Sequence, residues 1–334
     1  MENSTISVAL VILNFNGEDH LRRFLPSVVE HTPDWVDIIV ADNGSSDGSR
    51  SVIEREFSPR VELLPLDKNY GFAAGYNIAL EGLNHDIFIL LNSDVEVTKN
   101  YVEPLLRDLL SSEDIAAVAP KLRSVTEPEK FEYAGAAGGY IDYLGYPFCR
   151  GRVMGDIEVD NGQYDDSRDL FWVSGAAFVC RGSVFKELGG FDSDFFAHME
   201  EIDLCWRMQL AGYRVRIVPE SVVYHLGGGT LNALSPFKTF LNHRNNLAML
   251  FKCAPTPQRI TVAVIRPLLD LAAAFSYLLK GQVGAFFAVF RAWWEFLRWH
   301  SALNRKRRLI RSKVVKESEH IYRGSILLKI KVPK

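Results

Sequence analysis

Short apolar runs and helical patterns alternate through the first third of the chain. Ile6–Leu13, Val36–Val40, Val61–Leu66 and Ile87–Leu91 are rich in Val, Ile and Leu and show no polar alternation, the pattern of strands covered on both faces. Between them the sequence predicts helices over about Asp19–His31, Asp47–Phe57 and Ala73–Leu83, with Ser46 or Asp47 capping the second. Strand–helix–strand repetition of this kind predicts a mostly parallel, layered α/β sheet. From about Ala116 to Val159 the pattern loosens into sequence rich in Gly and Tyr, read as a loop-rich insertion over one end of the sheet. Regular patterning returns with a strand over Leu170–Arg181, a short helix near Val184–Leu188, a helix over Glu200–Ala211 and a strand over Arg214–Val218.

After Pro257 the character changes. Ile260–Leu279 is apolar but interrupted by Arg266, Pro267 and Asp270, and charges at a bilayer centre are costly, which argues against a simple transmembrane span. In Val283–Trp299, at 100° per residue, Arg291, Glu295 and Arg298 fall on one face and Phe286, Val289, Phe290, Trp293 and Leu297 on the opposite one. An aromatic apolar stripe followed by the basic run Arg305–Arg308 predicts a helix lying in a membrane interface.

Charge supports that reading. The net charge is −3, but from Ser301 onward eleven Lys/Arg face two Glu, so this segment carries about +9 and the rest about −12. A basic tail after Trp-rich apolar sequence favours an anionic membrane surface over nucleic acid. The four cysteines, Cys149, Cys180, Cys205 and Cys253, are scattered without paired spacing, so neither a disulfide framework nor a zinc site is implied. No signal-peptide pattern is seen at the N-terminus. The expected location is cytoplasmic, peripheral at the inner face of the cell membrane.

Ligands of parallel α/β sheets bind beyond the carboxyl ends of the strands. Three polar clusters fall at such ends: Asn14-Phe15-Asn16-Gly17, Asp42-Asn43-Gly44-Ser45-Ser46-Asp47 and Asn92-Ser93-Asp94. One alone reads as a turn; three on one edge read as a site. No Gly-rich phosphate loop with Arg or Lys follows the first strand, which disfavours a nucleotidyltransferase. No G-x-G-x-x-G follows it either, which disfavours a dinucleotide-binding oxidoreductase.

The runs VILNFNG (11–17), ADNGSSDGS (41–49), NYGFAAGYN (69–77), LLNSDV (90–95) and FFAHMEEIDLCWR (195–207), with Pro219…His225 and HRNN (243–246), resemble family 2 glycosyltransferases of the GT-A fold. The pattern is closest to bacterial rhamnosyltransferase-like members that build surface polysaccharides. The resemblance implies a GT-A domain over 1–255, with a nucleotide-sugar-binding half at 1–120 and an acceptor and catalytic half at 121–255. Residues 256–334 then form a helical, membrane-associating appendage. It further implies transfer of sugar, with inversion, from a nucleoside-diphosphate donor (dTDP-rhamnose or a UDP-sugar) to a glycan or lipid-linked acceptor. A catalytically silent nucleotide-sugar-binding or scaffold protein is the alternative.

The resemblance also carries roles. Asp42 sits where the family reads the base or ribose, and Asn14, Asn16, Asn69, Gly71, Gly75, Asn77, Asn92 and Ser93 match the donor-binding segments. Asp94 matches the last position of the Asp-x-Asp metal motif, with Asn92 replacing the first Asp, and His225 matches the histidine that completes the shell around Mn²⁺ or Mg²⁺. Among Glu200, Glu201 and Asp203, the family's spacing selects Glu201 as base and leaves Asp203 free to pair with Arg207 at i,i+4. Arg244 is expected near the diphosphate, with Trp172 and Glu200 as acceptor contacts.

Overall fold

The computed structural model describes residues 6–227 and 235–328. Its first half is built of β1 (Val8–Asn14), α1 (Glu18–His31), β2 (Val36–Asp42), α2 (Ser49–Val52, continued by a wider turn over Ile53–Phe57), β3 (Val61–Pro65), α3 (Gly71–Glu81) and β4 (Ile87–Asn92). β5 (Val95–Val97), α4 (Val102–Leu110) and β6 (Ile115–Ser124) complete this half. The second half holds β7 (Gly139–Asp142), β8 (Pro147–Cys149), β9 (Arg152–Val153), β10 (Asp156–Ile157), β11 (Arg168–Asp169), β12 (Ala177–Arg181) and α5 (Gly182–Glu187). There follow α6 (Glu200–Leu210), β13 (Arg214–His225), α7 (Pro236–Cys253), α8 (Thr256–Leu279), α9 (Val283–Arg298), α10 (His300–Ser312) and β14 (Ile321–Tyr322).

The main sheet runs β11–β13–β6–β12–β4–β1–β2–β3, with β5 paired to β13 outside that path. β1 pairs in parallel with β2 and β4, and β2 with β3, so the predicted parallel layer is present. Its strands are apolar on both faces because helices cover both. β12 runs antiparallel to β4 and β6, while β13 runs parallel to β6. The ends of β1, β2, β4 and β13 therefore open on one edge.

Several expectations are corrected here. All but the first residue of β6 lies inside the stretch expected to be loop; its sequence mixes Ile115 and Val118 with three Ala, Pro120 and Lys121, yet eight of its ten residues are buried. Beyond it, β10–β9–β8–β7–β14 form a second, smaller sheet. The strand expected over Leu170–Arg181 is shortened to β12 (Ala177–Arg181), with β11 ending just before that range. β13 runs on past Val218 to His225, with a register shift around Pro219, which has no N–H for the ladder.

The C-terminal segment is packed into the fold. Arg266 and Asp270 of α8 are buried, paired with each other at 3.2 Å, and Arg266 also donates to Asn246 of α7 at 2.6 Å. The 24-residue α8 has the length and mean hydropathy (1.7) to cross a membrane, but its polar side turns inward. α9 is rotated from the expected orientation because its small residues Ala285, Ala288 and Ala292 are buried. Val289 is buried beside them and Trp293 donates to Asp270 at 3.0 Å, so the outward stripe is Val283, Phe287, Phe290, Trp294 and Leu297. Arg291 and Glu295 serve the protein: the first lies over the Phe240 ring and the second accepts from Arg244.

Almost every residue of α6 is buried. Asp203 is fully buried, accepts from Arg207 Nε at 2.8 Å as the i,i+4 spacing predicts, and faces Lys252 of α7 at 2.8 Å. Lys252 also pairs with Asp192, which Lys306 of α10 reaches from the other side. Removing one partner from such a cluster strands buried charge. Asp203→Ala is expected to lower stability by about 3–5 kcal/mol, read as a shift of the urea midpoint with an unchanged slope; a shift under about 1 kcal/mol would mean that the cluster is not a stabilising contact.

Candidate active site

Asn14 and Asp42 are cross-strand neighbours at the ends of β1 and β2. Asn14 Nδ2 donates to Asp42 Oδ2 at 3.3 Å, and Asp42 Oδ1 accepts from Ser45 N at 3.1 Å and Arg50 Nε at 2.6 Å. Asp42 is enclosed, so Arg50, half exposed above it, is the accessible member of the pair. The loops after β1 and β2 are tied together: Asn16 N donates to Ser45 Oγ at 2.9 Å and Ser46 N donates to Asn16 Oδ1 at 2.8 Å. Asn14 Oδ1 is buried with no hydrogen-bond partner among the described residues.

Asn43 organises the next segment. Its Nδ2 donates to Asn69 Oδ1 (3.2 Å) and Gly71 O (3.0 Å), while its Oδ1 accepts from Tyr70 N (3.0 Å). The two glycines expected here are closely surrounded by protein. Gly71 is left-handed (φ +79°) and a Cβ there would lie 2.5 Å from the Phe196 ring; at Gly75 it would lie 2.9 Å from Leu13. Glycine at both lets α3 close on these neighbours. Asn77 is likewise committed: it donates to Phe191 O (2.8 Å) and Ser193 Oγ (3.0 Å) and accepts from Phe191 N (2.9 Å).

The turn Asn92-Ser93-Asp94 leads into β5, whose Val95 pairs with His225 at the end of β13. That pairing brings Asp94 and His225, 131 residues apart, to 3.1 Å between Oδ1 and Nε2. The other ring nitrogen stands 3.4 Å from Glu132 Oε1. Burial alone would lower the imidazole pKa, but Asp94 and Glu132 together raise it to about 10. For Asp94, burial works upward and is overcome by the hydrogen bond and charge of His225, so its carboxyl is held below the usual value. Adjacent ligands of an octahedral ion at about 2.0–2.1 Å lie roughly 3.0 Å apart, so these two donor atoms fit a shared small divalent cation. Glu132 fits the carboxylate that orients a ligating imidazole through its far nitrogen. The Gly228–Thr230 part of the histidine motif lies outside the described residues.

Helix α6, which carries Glu201, is entered through a turn with left-handed residues at Phe196 (φ 65°), His198 (φ 69°) and Met199 (φ 73°). Asn245 of α7 holds that turn, donating to the carbonyls of Phe195 (3.0 Å), Ala197 (2.9 Å) and His198 (2.8 Å). Glu201 then rests over Gly175, where a Cβ would be 3.6 Å from its own. The next residue, Ala176, accepts from Asn92 N at 2.9 Å, which joins the segment under Glu201 to the turn bearing Asp94. Desolvation lifts the Glu201 pKa to about 7. Glu200 is 5% exposed, one oxygen lacks a partner, and burial followed by the charge of Glu201 raises its pKa well above normal, so an acceptor contact through Glu200 is not open.

Two further expectations are corrected. Trp172 is 3% exposed, its Nε1 donates to Tyr140 O at 2.9 Å, and its ring covers Gly139, so it belongs to the core and presents no platform to a sugar. Arg244 is taken up by Glu295 (3.2 Å), the carbonyls of Asp194 and Phe195 (both 3.1 Å) and the rings of Phe240 and Trp299. It buttresses the turn before α6 instead of reaching the diphosphate. Residues not foreseen are Arg50, Asn43, Glu132, Gly175 and Asn245. Of these, only Asn43 and Asn245 lie inside quoted motifs, adjacent to the positions that had been singled out.

The family model for glycosyl transferase family 2 matches residues 9–152, and that for glycosyl transferase family group 2 matches 154–303. An N-acetylglucosaminyl-diphospho-decaprenol L-rhamnosyltransferase of Mycobacterium tuberculosis is 29% identical over 65% of this chain and 75% of its own length. An O-antigen biosynthesis protein of Myxococcus xanthus is 27% identical over 66% of this chain and 17% of its own. Among solved structures, GalNAc-T7 with UDP, GalNAc and Mn²⁺ superposes with a TM-score of 0.59 at 17% identity, over 75% of this chain. The alignment spans about half of that structure (48%). A mannosyltransferase from Pyrobaculum calidifontis in complex with GDP-Man and Mn²⁺ gives 0.54 at 14% identity, over 93% of this chain and 84% of the other. The fold is GT-A, and with family models matched on both halves the chain belongs to the family 2 glycosyltransferases.

Proposed function

We propose that this glycosyltransferase moves a sugar, with inversion at the anomeric carbon, from a nucleoside-diphosphate donor to a glycan or lipid-linked acceptor in surface polysaccharide synthesis. The observation that carries this reading is the meeting, on one sheet edge, of Asp94 and His225 at 3.1 Å, with the Asn92–Ala176 hydrogen bond tying their turn to the segment under Glu201. The donor nucleotide lies along the crevice of Asn14, Asn16, Asp42 and Arg50, with Asn92 and Ser93 at its phosphate end. Asp94 and His225 would hold a divalent cation, which would supply positive charge against the charge growing on the leaving diphosphate.

Glu201 accepts the proton of the acceptor hydroxyl as that oxygen bonds to the anomeric carbon. The bond from that carbon to the diphosphate oxygen breaks on the opposite side, and its electron pair leaves with the nucleoside diphosphate. One displacement, with one base and no second carboxylate as nucleophile, inverts the configuration. Glu132 fixes the imidazole ring, and Asn245 fixes the turn from which Glu201 projects.

The relatives' printed activities, rhamnosyl transfer to a decaprenol-linked sugar and O-antigen synthesis, support dTDP-rhamnose or a UDP-sugar as donor and a lipid-linked acceptor. The outward apolar residues of α8 and α9, followed by the basic α10, support a peripheral site of action at the inner membrane face.

Glu201→Gln is expected to lower kcat by about 10²–10⁴-fold with donor KM unchanged; near-normal turnover would remove Glu201 as base. Because the base must be deprotonated and its pKa is about 7, kcat/KM should rise with pH through 7 and fall away below it. A profile flat between about pH 5 and 8 would contradict the assignment. Glu132→Gln is expected to raise the half-saturating Mn²⁺ concentration about 10–100-fold in a thermal-shift titration with nucleoside diphosphate, whereas an unchanged titration would leave Glu132 with no part in metal binding.

A further inference from the structure

Between α7, α8 and α9 lies an apolar cleft of about 450 Å³, within the range of small-ligand pockets. Leu247, Leu250 and Phe251 of α7 form its floor, and Ile260, Ala263 and Leu297 its walls. Its mouth opens on the outward face: Ile260 is 63% and Leu297 60% exposed, in line with Val264, Leu268, Phe290 and Trp294 on the same helices.

The rim of this apolar space is cationic. Arg259, lining the cleft, stacks on Phe251 at 4.3 Å and has no carboxylate near it among the described residues. Arg307 reaches the same corner from α10 and donates to the carbonyls of Phe251, Lys252 and Ala254, leaving part of its guanidinium free. Burial first, and then the charges of Arg259 and Arg311, bring Arg307 down to about 10. Two like charges that repel one another beside an apolar cavity call for an anion carrying a hydrocarbon chain.

We propose that this cleft binds one acyl chain of an anionic membrane phospholipid, whose phosphate rests on Arg259 and Arg307. The inference rests on the membrane-surface part of the proposed function and deepens it from a general surface attraction to a defined lipid site. A lipid-linked acceptor fits less well. The cleft lies on the side of α7 opposite Asn245, which holds the turn before Glu201, so α7 stands between a phosphate at Arg259 and the base. A phospholipid needs no such reach, and its second chain can lie along the exposed face of α8 and α9.

The test uses the full chain in detergent with a pyrene-labelled phosphatidylglycerol, and in parallel its flotation with vesicles of phosphatidylcholine, with and without phosphatidylglycerol. Saturable one-to-one binding is expected. Ala263→Trp, which fills the cleft from an exposed position, should weaken it by about tenfold, the worth of fewer than two buried methylenes. Arg259→Gln should weaken it about fivefold, the effect of one cation at an anionic surface. Transfer to a water-soluble acceptor should be unchanged in both variants. Labelled lipid bound equally by wild type and both variants would overturn the site while leaving vesicle flotation, and so the membrane reading, standing. Binding of decaprenyl phosphate in its place, with phosphatidylglycerol failing to compete, would overturn the phospholipid assignment in favour of the acceptor's tail. Failure to float with any vesicle would overturn both.

Discussion

A helix with four charged side chains, Glu200, Glu201, Asp203 and Arg207, is enclosed almost completely by protein. Burying such a helix is unfavourable unless each charge is matched or neutralised. Asp203 and Arg207 are matched by each other and by Lys252, whereas Glu200 and Glu201 are left to meet burial by rising pKa. The same constraint thus pairs charges at one end of the helix and raises carboxyl pKa values at the other, as the proposed base role of Glu201 requires. It also determines which parts of the chain must be present: Lys252 comes from α7, and Lys306, which completes the neighbouring Asp192, comes from α10.

The parallel layer of the first half was readable because its strands are covered on both faces, so unbroken Val, Ile and Leu runs mark them directly. The same rule explains the miss at β6, which is equally buried but whose Ile115, Val118 and Leu122 are separated by Ala, Pro and Lys and so form no unbroken run. The three polar clusters at strand ends announced the crevice, and the family motifs named Asp94 and His225. What no local pattern could announce is how contacts over long separations are shared out. Arg50 meets Asp42 across a loop, and Glu132 reaches His225 from a different part of the chain.

Five of the expected site residues find their contacts inside the protein. Trp172, Arg244, Asn77, Gly71 and Gly75 are of types that ligands often meet, and all but Trp172 sit within a quoted motif. In the fold each is occupied by the protein itself, holding the segments that carry Glu201 and the donor crevice. Motif membership therefore marks two populations, the groups that touch substrate and the groups that keep them in place. Only packing distinguishes them.

The division between catalytic and membrane-facing sequence near residue 255 is one of composition and not of mechanics. Arg307 of α10 donates to the carbonyls of Phe251, Lys252 and Ala254 at the end of α7, and α7 in turn holds the turn from which the base projects. A shortened chain ending before α8, the obvious route to a more tractable soluble enzyme, would strip the end of α7 of that guanidinium and Asp192 of one of its two lysines. Tractability is better sought by recolouring the outer surface of α8 and α9 with polar residues while leaving their inner surface whole.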